Sequence, residues 1–296
     1  MTGFLKGSAT AMITPFSEDG VNLQAFGKMM EYQIANGTDA LIILGTTGEP
    51  PVMSDEEKVS LIRYAIEKNA DRVKLIVGTG CNCTEHAVTT AKLAESLGAD
   101  GILAVTPYYN KCTQRGLYEY YRSVCDAVKI PVICYNVPSR TGVNLLPETM
   151  EKIAEISNMA GIKEASGNMA QVLETASKIR GKCDLYSGED ALNLPILCAG
   201  GTAVISVVSN LAPQAVKSLV QAVERGDLAT ANRLNDRLLP LVKACFSEVN
   251  PIPVKEGMNL LGFEAGTPRA PLTQIEPEHR ELLIKAIQDF GLKAAV

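Results

Sequence analysis

Short apolar segments alternate with longer amphipathic segments from the first residues to about position 225. Alternating strands and helices imply parallel strand pairs joined by crossover helices. Eight such units in succession predict a closed (β/α)8 TIM barrel, since an open doubly wound sheet seldom contains eight equal units. The predicted strands are 8–14, 39–44, 73–78, 100–105, 131–135, 159–163, 183–187 and 202–206, and the predicted helices are 22–36, 54–69, 84–97, 114–128, 147–157, 168–180, 189–199 and 211–225.

The segment that follows the barrel has a different pattern. Residues 226–296 contain no convincing strand and show three amphipathic helical patterns, near 227–247, 253–261 and 277–291. We therefore predict a barrel over 1–225 and a C-terminal helical region over 226–296, with no low-complexity linker between them.

The charge balance argues against a nucleic-acid partner. The 296 residues include 28 basic and 33 acidic side chains, for a net charge of −5, and no basic run is present. A nucleic-acid-binding protein usually carries a basic footprint. No apolar run approaches the ~18 residues of a spanning helix, and the first residues lack the pattern of a signal peptide. We therefore expect a cytoplasmic protein with no membrane partner.

The cysteines and histidines argue against a disulfide framework and against a metal site. Eight cysteines are scattered through apolar segments without a CxxC pair, which is typical of reduced thiols in a protein core. The two histidines, His86 and His279, fall in predicted helices away from the strand ends. A histidine-ligated metal site therefore lacks its ligands, and no metal is expected.

The carboxyl ends of the strands contain the candidate functional residues, because barrels of this class place their chemistry there. Lys163 is the lysine that ends an apolar strand on this presumed active face. By position alone, a salt bridge from Lys163 to Glu164 or to another acid at the barrel rim is an equally good interpretation. The other candidates at or just after strand ends are Thr46, Thr47, Tyr108, Tyr109, Tyr135 and Arg140.

These residue types suit one kind of chemistry. A lysine in a partly desolvated barrel mouth has a lowered pKa, so its neutral amine can attack a ketone and form a Schiff base. A phenol such as Tyr135 can relay protons during that reaction. The hydroxyl and backbone N–H groups of Thr46 and Thr47 suit a small carboxylate, and the planar guanidinium of Arg140 suits a second one. The set indicates a metal-free aldolase acting on a 2-oxo acid.

Five spaced motifs resemble those of the dihydrodipicolinate synthase family, which belongs with N-acetylneuraminate lyase among the pyruvate-dependent class I aldolases. They run in order along essentially the whole chain: GTTGE (45–49), VTPYYNK (105–111), YNVPSRTG (135–142), GIKEASG (161–167) and SGED (187–190). The resemblance implies a lyase of lysine and diaminopimelate biosynthesis that needs no cofactor. It also implies that Lys163 forms a Schiff base with pyruvate and that the resulting enamine attacks L-aspartate 4-semialdehyde.

The resemblance also implies a proton relay shared between subunits. Tyr135 corresponds to the relay phenol, and Thr47 corresponds to the hydroxyl that links it to a second tyrosine. That tyrosine matches Tyr109 and is contributed across a subunit interface in the family. The sharing implies at least a dimer, and the family is usually a homotetramer built as a pair of dimers.

Substrate contacts are implied in the same way. Thr46 corresponds to the contact with the pyruvate carboxylate, and Gly188 and Ile205 line the same pocket. Arg140 corresponds to the residue that receives the carboxylate of the aldehyde. Sugar-acid lyases of this fold typically lack an arginine here, so Arg140 favours the semialdehyde over a polyhydroxylated aldehyde.

Two alternatives and one regulatory question remain open from the sequence. The alternatives are a related N-acetylneuraminate or 2-keto-3-deoxy sugar acid aldolase, and a catalytically silent ligand-binding barrel. In lysine-inhibited members of the family, lysine binds at the dimer interface. Only Asn82 and Tyr108 match that site well here, and His86 stands at an acidic position. An effector ammonium needs a carboxylate partner, so we predict weak or absent inhibition by lysine.

Overall fold

Eight parallel strands close into a barrel in a computed structural model that describes residues 2–293. Each strand lies beside the next one along the chain, and the first lies beside the last. This order confirms the predicted (β/α)8 TIM barrel. The strands are β1 Gly7–Ala11, β2 Ala40–Ile43, β3 Lys74–Gly78, β4 Gly101–Val105, β5 Val132–Asn136, β6 Met159–Glu164, β7 Asp184–Ser187 and β8 Ala203–Ser206.

Helices follow the strands in the predicted alternation. The helices of the barrel are α1 Leu23–Ala35, α2 Asp55–Asn69, α3 Thr84–Leu97, α4 Gln114–Ala127, α5 Pro147–Ile153, α6 Met169–Ile179, α7 Asn193–Cys198 and α8 Pro213–Glu224. Shorter helical turns lie at Thr46–Gly48, Pro50–Val52, Pro138–Thr141, Asp190–Leu192 and Val208–Asn210, and a small hairpin pairs Phe16–Ser17 with Gly20–Val21.

Three further helices follow the barrel and confirm the helical C-terminal region. They are α9 Leu228–Cys245, α10 Ile252–Leu260 and α11 Pro277–Phe290. The domain boundary between residues 225 and 226 stays a prediction. Across residues 2–293, no helix combines the length and the apolar character required to cross a bilayer.

One predicted helix differs in detail. The pattern over 189–199 predicts a single helix, but the structure has a 3-10 turn at Asp190–Leu192 followed by α7. Pro195 has no backbone N–H, so it cannot donate to the carbonyl of Ala191 as a continuous α-helix would require. The break follows from that missing donor.

Local signals in the sequence set the strands and helix starts correctly. Every residue of β5 and β6 is buried, as expected for strands of a parallel sheet that is covered on both faces. Ser54 caps α2 in a capping box, in which its hydroxyl accepts from the N–H of Glu57 at 3.2 Å and its own N–H donates to the Glu57 carboxylate at 2.9 Å. Pro147 occupies the first position of α5, where its missing N–H costs nothing.

The chain forms two compact units. The first contains the segment up to Gly7 together with Lys74–Ile205, and the second contains Ser8–Val73 and the segment from Ser206 onward. The first unit includes β3 to β7 and most of the predicted site residues. The second includes β2, the GTTGE motif that follows it, and the C-terminal helices.

The eight cysteines all lie within the described residues, and none of them forms a disulfide there. The prediction that all of them are core thiols is wrong for two residues, Cys83 and Cys198, which are exposed. Cys83 precedes the first residue of α3 and Cys198 is the last residue of α7, so each lies at a helix end rather than on a buried face. The fully buried thiols are Cys125, Cys134, Cys183 and Cys245.

Candidate active site

The candidate nucleophile, Lys163, lies near the carboxyl end of β6 and is only 5% exposed. In the sheet it pairs with Tyr135 of β5 and with Tyr186 of β7. The Nζ atom of Lys163 lies 4.3 Å from the centroid of the Tyr135 ring. The structure therefore brings together the amine and the phenol that the sequence predicted as partners.

Burial lowers the pKa of Lys163 to about 8, because removing an ammonium group from water favours its neutral form. Asp190 and Glu189 oppose this effect by Coulombic attraction, while the positive charge of Arg140 reinforces it. A lysine with a pKa of about 8 has an appreciable fraction of free amine near neutral pH. The amine is therefore suited to attack a carbonyl carbon.

Sequence reasoning gave no role to the two acidic residues of the SGED motif. Asp190 is buried and accepts a hydrogen bond from Asn193 Nδ2 at 3.0 Å. Burial raises the pKa of Glu189, and the neighbouring charge of Asp190 raises it further. An acidic pair directly after a barrel strand was the available signal, since side chains at that end face the chemistry.

Gly188 lies against the stem of the nucleophile. A Cβ atom added at position 188 would lie 2.7 Å from Cγ and 2.9 Å from Cε of Lys163. Only glycine therefore lets the turn after β7 pack so closely on the lysine. Ile205, predicted with Gly188 to line the pyruvate pocket, is 1% exposed on β8.

Glu164 does not form the salt bridge with Lys163 that the alternative interpretation allowed. Successive residues of a strand face opposite sides, so the two side chains diverge. The Glu164 carboxylate instead accepts from the backbone N–H of Ser166 at 2.8 Å and from Asn136 Nδ2 at 3.2 and 3.3 Å. Burial raises the pKa of Glu164, and the hydrogen bonds from Ser166 and Asn136 oppose this effect.

The loop after β5 presents Arg140 to solvent. Arg140 lies in the short helix Pro138–Thr141 and is exposed. Asn136, the last residue of β5, ties down the far side of the loop: its Oδ1 accepts from the N–H of Leu145 at 2.9 Å, and its Nδ2 donates to Asn144 Oδ1 at 3.0 Å. The guanidinium is thus mounted on a fixed loop at the same strand end as the predicted phenol.

Tyr109 projects into solvent. It is 91% exposed and has a φ of 70°, which is unusual for a residue with a side chain. Tyr108 is half-buried, and burial raises its pKa. With so much of its surface exposed, Tyr109 does not pack on Lys163 or Tyr135 of its own chain.

The second unit presents Thr46 and Thr47 on the 3-10 turn Thr46–Gly48, directly after β2. Thr46 is half-buried, whereas Thr47 is 2% exposed. The Thr47 hydroxyl oxygen accepts a hydrogen bond from Asn250 Nδ2 at 3.0 Å. The hydroxyl keeps its own hydrogen for a further acceptor. Asn250 was not predicted, because nothing in the sequence links position 250 to position 47.

The histidines lie where the sequence placed them. His86 is exposed on α3, and His279 on α11 makes a 2.8 Å hydrogen bond with Glu248. Within the described part of the chain, no group of three or more His, Cys, Asp or Glu side chains is arranged to hold a metal ion.

A buried lysine with a lowered pKa, placed beside a phenol near the carboxyl end of a barrel strand, is the arrangement expected of a Schiff-base-forming lyase of the class I aldolase type. The model of the dihydrodipicolinate synthetase family matches residues 4–290. The chain belongs to this family.

Relatives and solved structures agree with that assignment. The chain is 49% identical over 288 residues to the 4-hydroxy-tetrahydrodipicolinate synthase of Caldicellulosiruptor bescii, with 97% of each protein covered. It matches the crystal structure of dihydrodipicolinate synthase from Thermotoga maritima with a TM-score of 0.96 and 41% identity, over 98% of this chain and 99% of that one. It also matches the lysine-bound enzyme of Cyanidioschyzon merolae with a TM-score of 0.95 and 36% identity, over 98% and 99%.

Proposed function

We propose that this protein condenses pyruvate, held as a Schiff base on Lys163, with L-aspartate 4-semialdehyde. This is the reaction of a 4-hydroxy-tetrahydrodipicolinate synthase, the name borne by its relatives at 46–49% identity. The observation that supports the proposal best is the buried Lys163 amine, with a pKa of about 8, beside the ring of Tyr135.

In the first half-reaction, the neutral amine of Lys163 attacks C2 of pyruvate. A C–N bond forms, the carbonyl electrons move to oxygen, and that oxygen takes up a proton. Loss of the oxygen as water then gives a protonated imine. We assign the giving and taking of these protons to the hydroxyl of Tyr135. The imine itself is the electron sink, so the proposed chemistry uses no resident cofactor or metal.

In the second half-reaction, C3 of the bound pyruvate loses a proton and becomes the nucleophilic carbon of an enamine. This carbon attacks the aldehyde, whose oxygen takes up a proton and becomes a hydroxyl group. The amino group of the same substrate then attacks the imine carbon, closes the ring and displaces Lys163 as the free amine. Arg140 binds the second carboxylate through its planar guanidinium, which selects a semialdehyde with an acidic group.

The two threonines of the GTTGE motif are proposed to supply the carboxylate contact and the relay hydroxyl. The resemblance gives the carboxylate to Thr46 and the relay to Thr47. Separate substitution of each by valine tests this division: loss of a relay hydroxyl lowers kcat, whereas loss of a carboxylate contact raises the KM for pyruvate. The same kinetic change in both variants would contradict it.

The exposure of Tyr109 supports a site completed by a second copy of the chain. A tyrosine that is 91% exposed and held at a positive φ is typical of a residue that contacts something outside its own chain. We propose that two copies form a dimer across which Tyr109 is shared, and that two such dimers form a homotetramer. Light scattering measures the mass in solution, and a fully active monomer would contradict the proposal.

Lysine is expected to inhibit weakly or not at all. The histidine at position 86 is exposed on α3 and offers no fixed negative charge to an ammonium group. Initial rates measured over a range of lysine concentrations check this, and a clear submillimolar inhibition curve would contradict it.

Borohydride trapping with pyruvate, followed by mass spectrometry of peptides, tests the proposed function. Reduction of the imine fixes the pyruvate carbons on the attacking lysine. We expect the adduct on the peptide that contains Lys163. Lys255 provides an internal control, since it too is buried with a pKa of about 8 but is paired with a carboxylate. No adduct, or an adduct on Lys255, would overturn the proposal.

The choice of aldehyde is tested in a second assay. L-aspartate 4-semialdehyde is compared with N-acetylmannosamine and glyceraldehyde, each in the presence of pyruvate. We expect turnover with the semialdehyde alone, because only that substrate offers Arg140 a carboxylate. Preferred turnover of a neutral sugar aldehyde would contradict the role given to Arg140.

A further inference from the structure

The turn that follows β2 has a backbone conformation that needs support. Glu49, the last residue of the GTTGE motif, has φ 56° and ψ 38°, in the left-handed region. It also precedes a proline, and a residue before proline favours extended backbone. A residue with a side chain persists in such a conformation only when its surroundings enforce it.

Two side chains from the C-terminal helical region and one backbone N–H hold this turn. The Glu49 carboxylate accepts from Lys255 Nζ at 2.8 Å and from the N–H of Arg269 at 3.0 Å. Asn250 holds the hydroxyl of Thr47, as described above. We refer to Asn250, Lys255 and Arg269 as the C-terminal anchor.

The ion pair between Lys255 of the anchor and Glu49 is shielded from solvent. Lys255 is 0% exposed and Glu49 is 3% exposed. Lys255 Nζ and the Arg269 guanidinium each lie 4.0 Å from the centroid of the Phe16 ring. The guanidinium continues the anchor to α2, where it donates to both carboxylate oxygens of Glu57 at 2.8 and 2.6 Å.

A buried ion pair is weak evidence for stability, because desolvation offsets much of the attraction, and an apolar pair of similar volume is often as stable. Such a pair does supply directional hydrogen bonds that an apolar pair cannot. Here those bonds end on the residue that closes the turn bearing Thr46 and Thr47. Thr14 also supports the GTTGE motif, because its hydroxyl donates to the Gly48 carbonyl at 2.7 Å.

We propose that Asn250, Lys255 and Glu49 are positioning residues, which fix the GTTGE turn so that Thr46 and Thr47 are held in the orientation that pyruvate binding and proton transfer require. The expected change in kinetics rests on the proposed function, whereas the expected loosening of the turn does not. These residues act through the threonines and touch no substrate.

The deciding comparison uses a variant that removes both charges of the pair. Lys255→Met alone leaves the buried Glu49 carboxylate with a single backbone donor. A loss of activity in that variant could come from a loss of stability or from a displaced turn, so it does not decide between them. The double variant Glu49→Gln/Lys255→Met leaves no unpaired charge, and we expect its melting temperature to stay close to that of the unmodified protein. We expect its KM for pyruvate to rise, or its kcat to fall, by about tenfold or more.

Lys217→Met is the matched control. Lys217 Nζ pairs with Asp39, the residue just before β2, whereas the GTTGE motif follows β2. The control removes the same type of side chain from an ion pair at the other end of the same strand. We expect it to change the melting temperature without changing kcat or the KM for pyruvate.

A second variant avoids the ion pair altogether. Asn250→Asp replaces the N–H donor that faces the Thr47 hydroxyl with an acceptor and leaves Lys255 and Glu49 paired. We expect the same rise in KM or fall in kcat. Wild-type kinetics in both Asn250→Asp and the double variant would show that the anchor serves stability alone and would overturn the proposal.

A readout that does not depend on activity separates this proposal from the proposed function. The N–H groups of Gly48 and Glu49 close the turn by donating to Gly45 and Thr46 carbonyls at 2.8 and 3.2 Å. Their hydrogen exchange should be faster in Glu49→Gln/Lys255→Met than in Lys217→Met or the unmodified protein. Unchanged exchange would overturn the positioning role. Absence of a pyruvate adduct in the unmodified protein would instead overturn the proposed function.

Discussion

Among residues 2–293 two lysines are buried, and they differ in what surrounds them. Lys163 on β6 is 5% exposed, Lys255 on α10 is 0% exposed, and burial lowers the pKa of each to about 8. Lys163 lies beside the ring of Tyr135, at the barrel end where chemistry is expected. Lys255 donates to the carboxylate of Glu49 at 2.8 Å.

The difference shows that a lowered pKa does not identify a nucleophile by itself. Desolvation acts on both amines in the same direction, whatever their role. The contacts separate them, since Lys255 is committed to a carboxylate that is itself buried. We therefore propose the first lysine as the reacting amine and the second as a cation that holds a turn in place.

The largest expected effect comes from removing each amine in turn. Lys163→Met deletes the proposed nucleophile, so turnover should fall by about 10³-fold or more while the protein stays folded. Lys255→Met leaves Glu49 without its cation and should lower the free energy of unfolding by about 3–5 kcal/mol. Steady-state rates and thermal unfolding at matched protein concentration measure both.

The comparison fails if the two variants behave alike. A Lys163→Met protein that retains activity would remove the distinction between the two lysines, as would a Lys255→Met protein that is inactive yet fully stable. Circular dichroism of both variants serves as the control for folding.

A smaller effect is expected from the phenol beside the nucleophile. Tyr135→Phe keeps the ring that faces Lys163 but removes the hydroxyl, so we expect kcat to fall by about 10²- to 10⁴-fold. The pyruvate adduct should still form on Lys163, only more slowly. Quenching the trapping reaction at timed intervals measures the rate of adduct formation. A rate equal to that of the unmodified protein would argue against a relay role.

The smallest expected effect is a displacement of the pH profile. Trapping on Lys163 should increase as the pH rises through about 8, because the neutral amine is the attacking form. Asp190→Asn removes a charge that favours the ammonium, so its midpoint should shift to lower pH. Arg140→Gln removes a charge that disfavours the ammonium, so its midpoint should shift to higher pH. Shifts of the same sign in both variants would contradict the electrostatic account of Lys163.

Much of the fold was predictable because local signals agree with one another. Apolar runs, a capping box at Ser54 and a proline at position 147 each mark a strand or a helix start, and none depends on distant residues. The break before α7 was missed because its cause, the missing N–H of Pro195, was outweighed by the amphipathic pattern around it.

The candidate site also has a part that could be predicted from the sequence and a part that could not. Lys163 and Tyr135 could be predicted as neighbours because parallel strands place residues at the same height side by side. Asp190 and Glu189 were visible in the SGED motif, but their effect on the pKa of Lys163 depends on burial, which a sequence does not state. The contact between Asn250 and Thr47 spans 203 positions, and no periodicity relates the two.

The contact between Gly188 and the Lys163 stem sets a limit on redesign. A Cβ atom at position 188 would lie 2.7 Å from Cγ of Lys163, so either the lysine or the turn must shift. We therefore expect libraries that randomise this position to lower activity, whatever substrate is sought. The short helix that bears Arg140 has no such restriction, because that side chain is exposed. Attempts to change the accepted aldehyde should therefore vary the loop after β5 and leave the turn after β7 untouched.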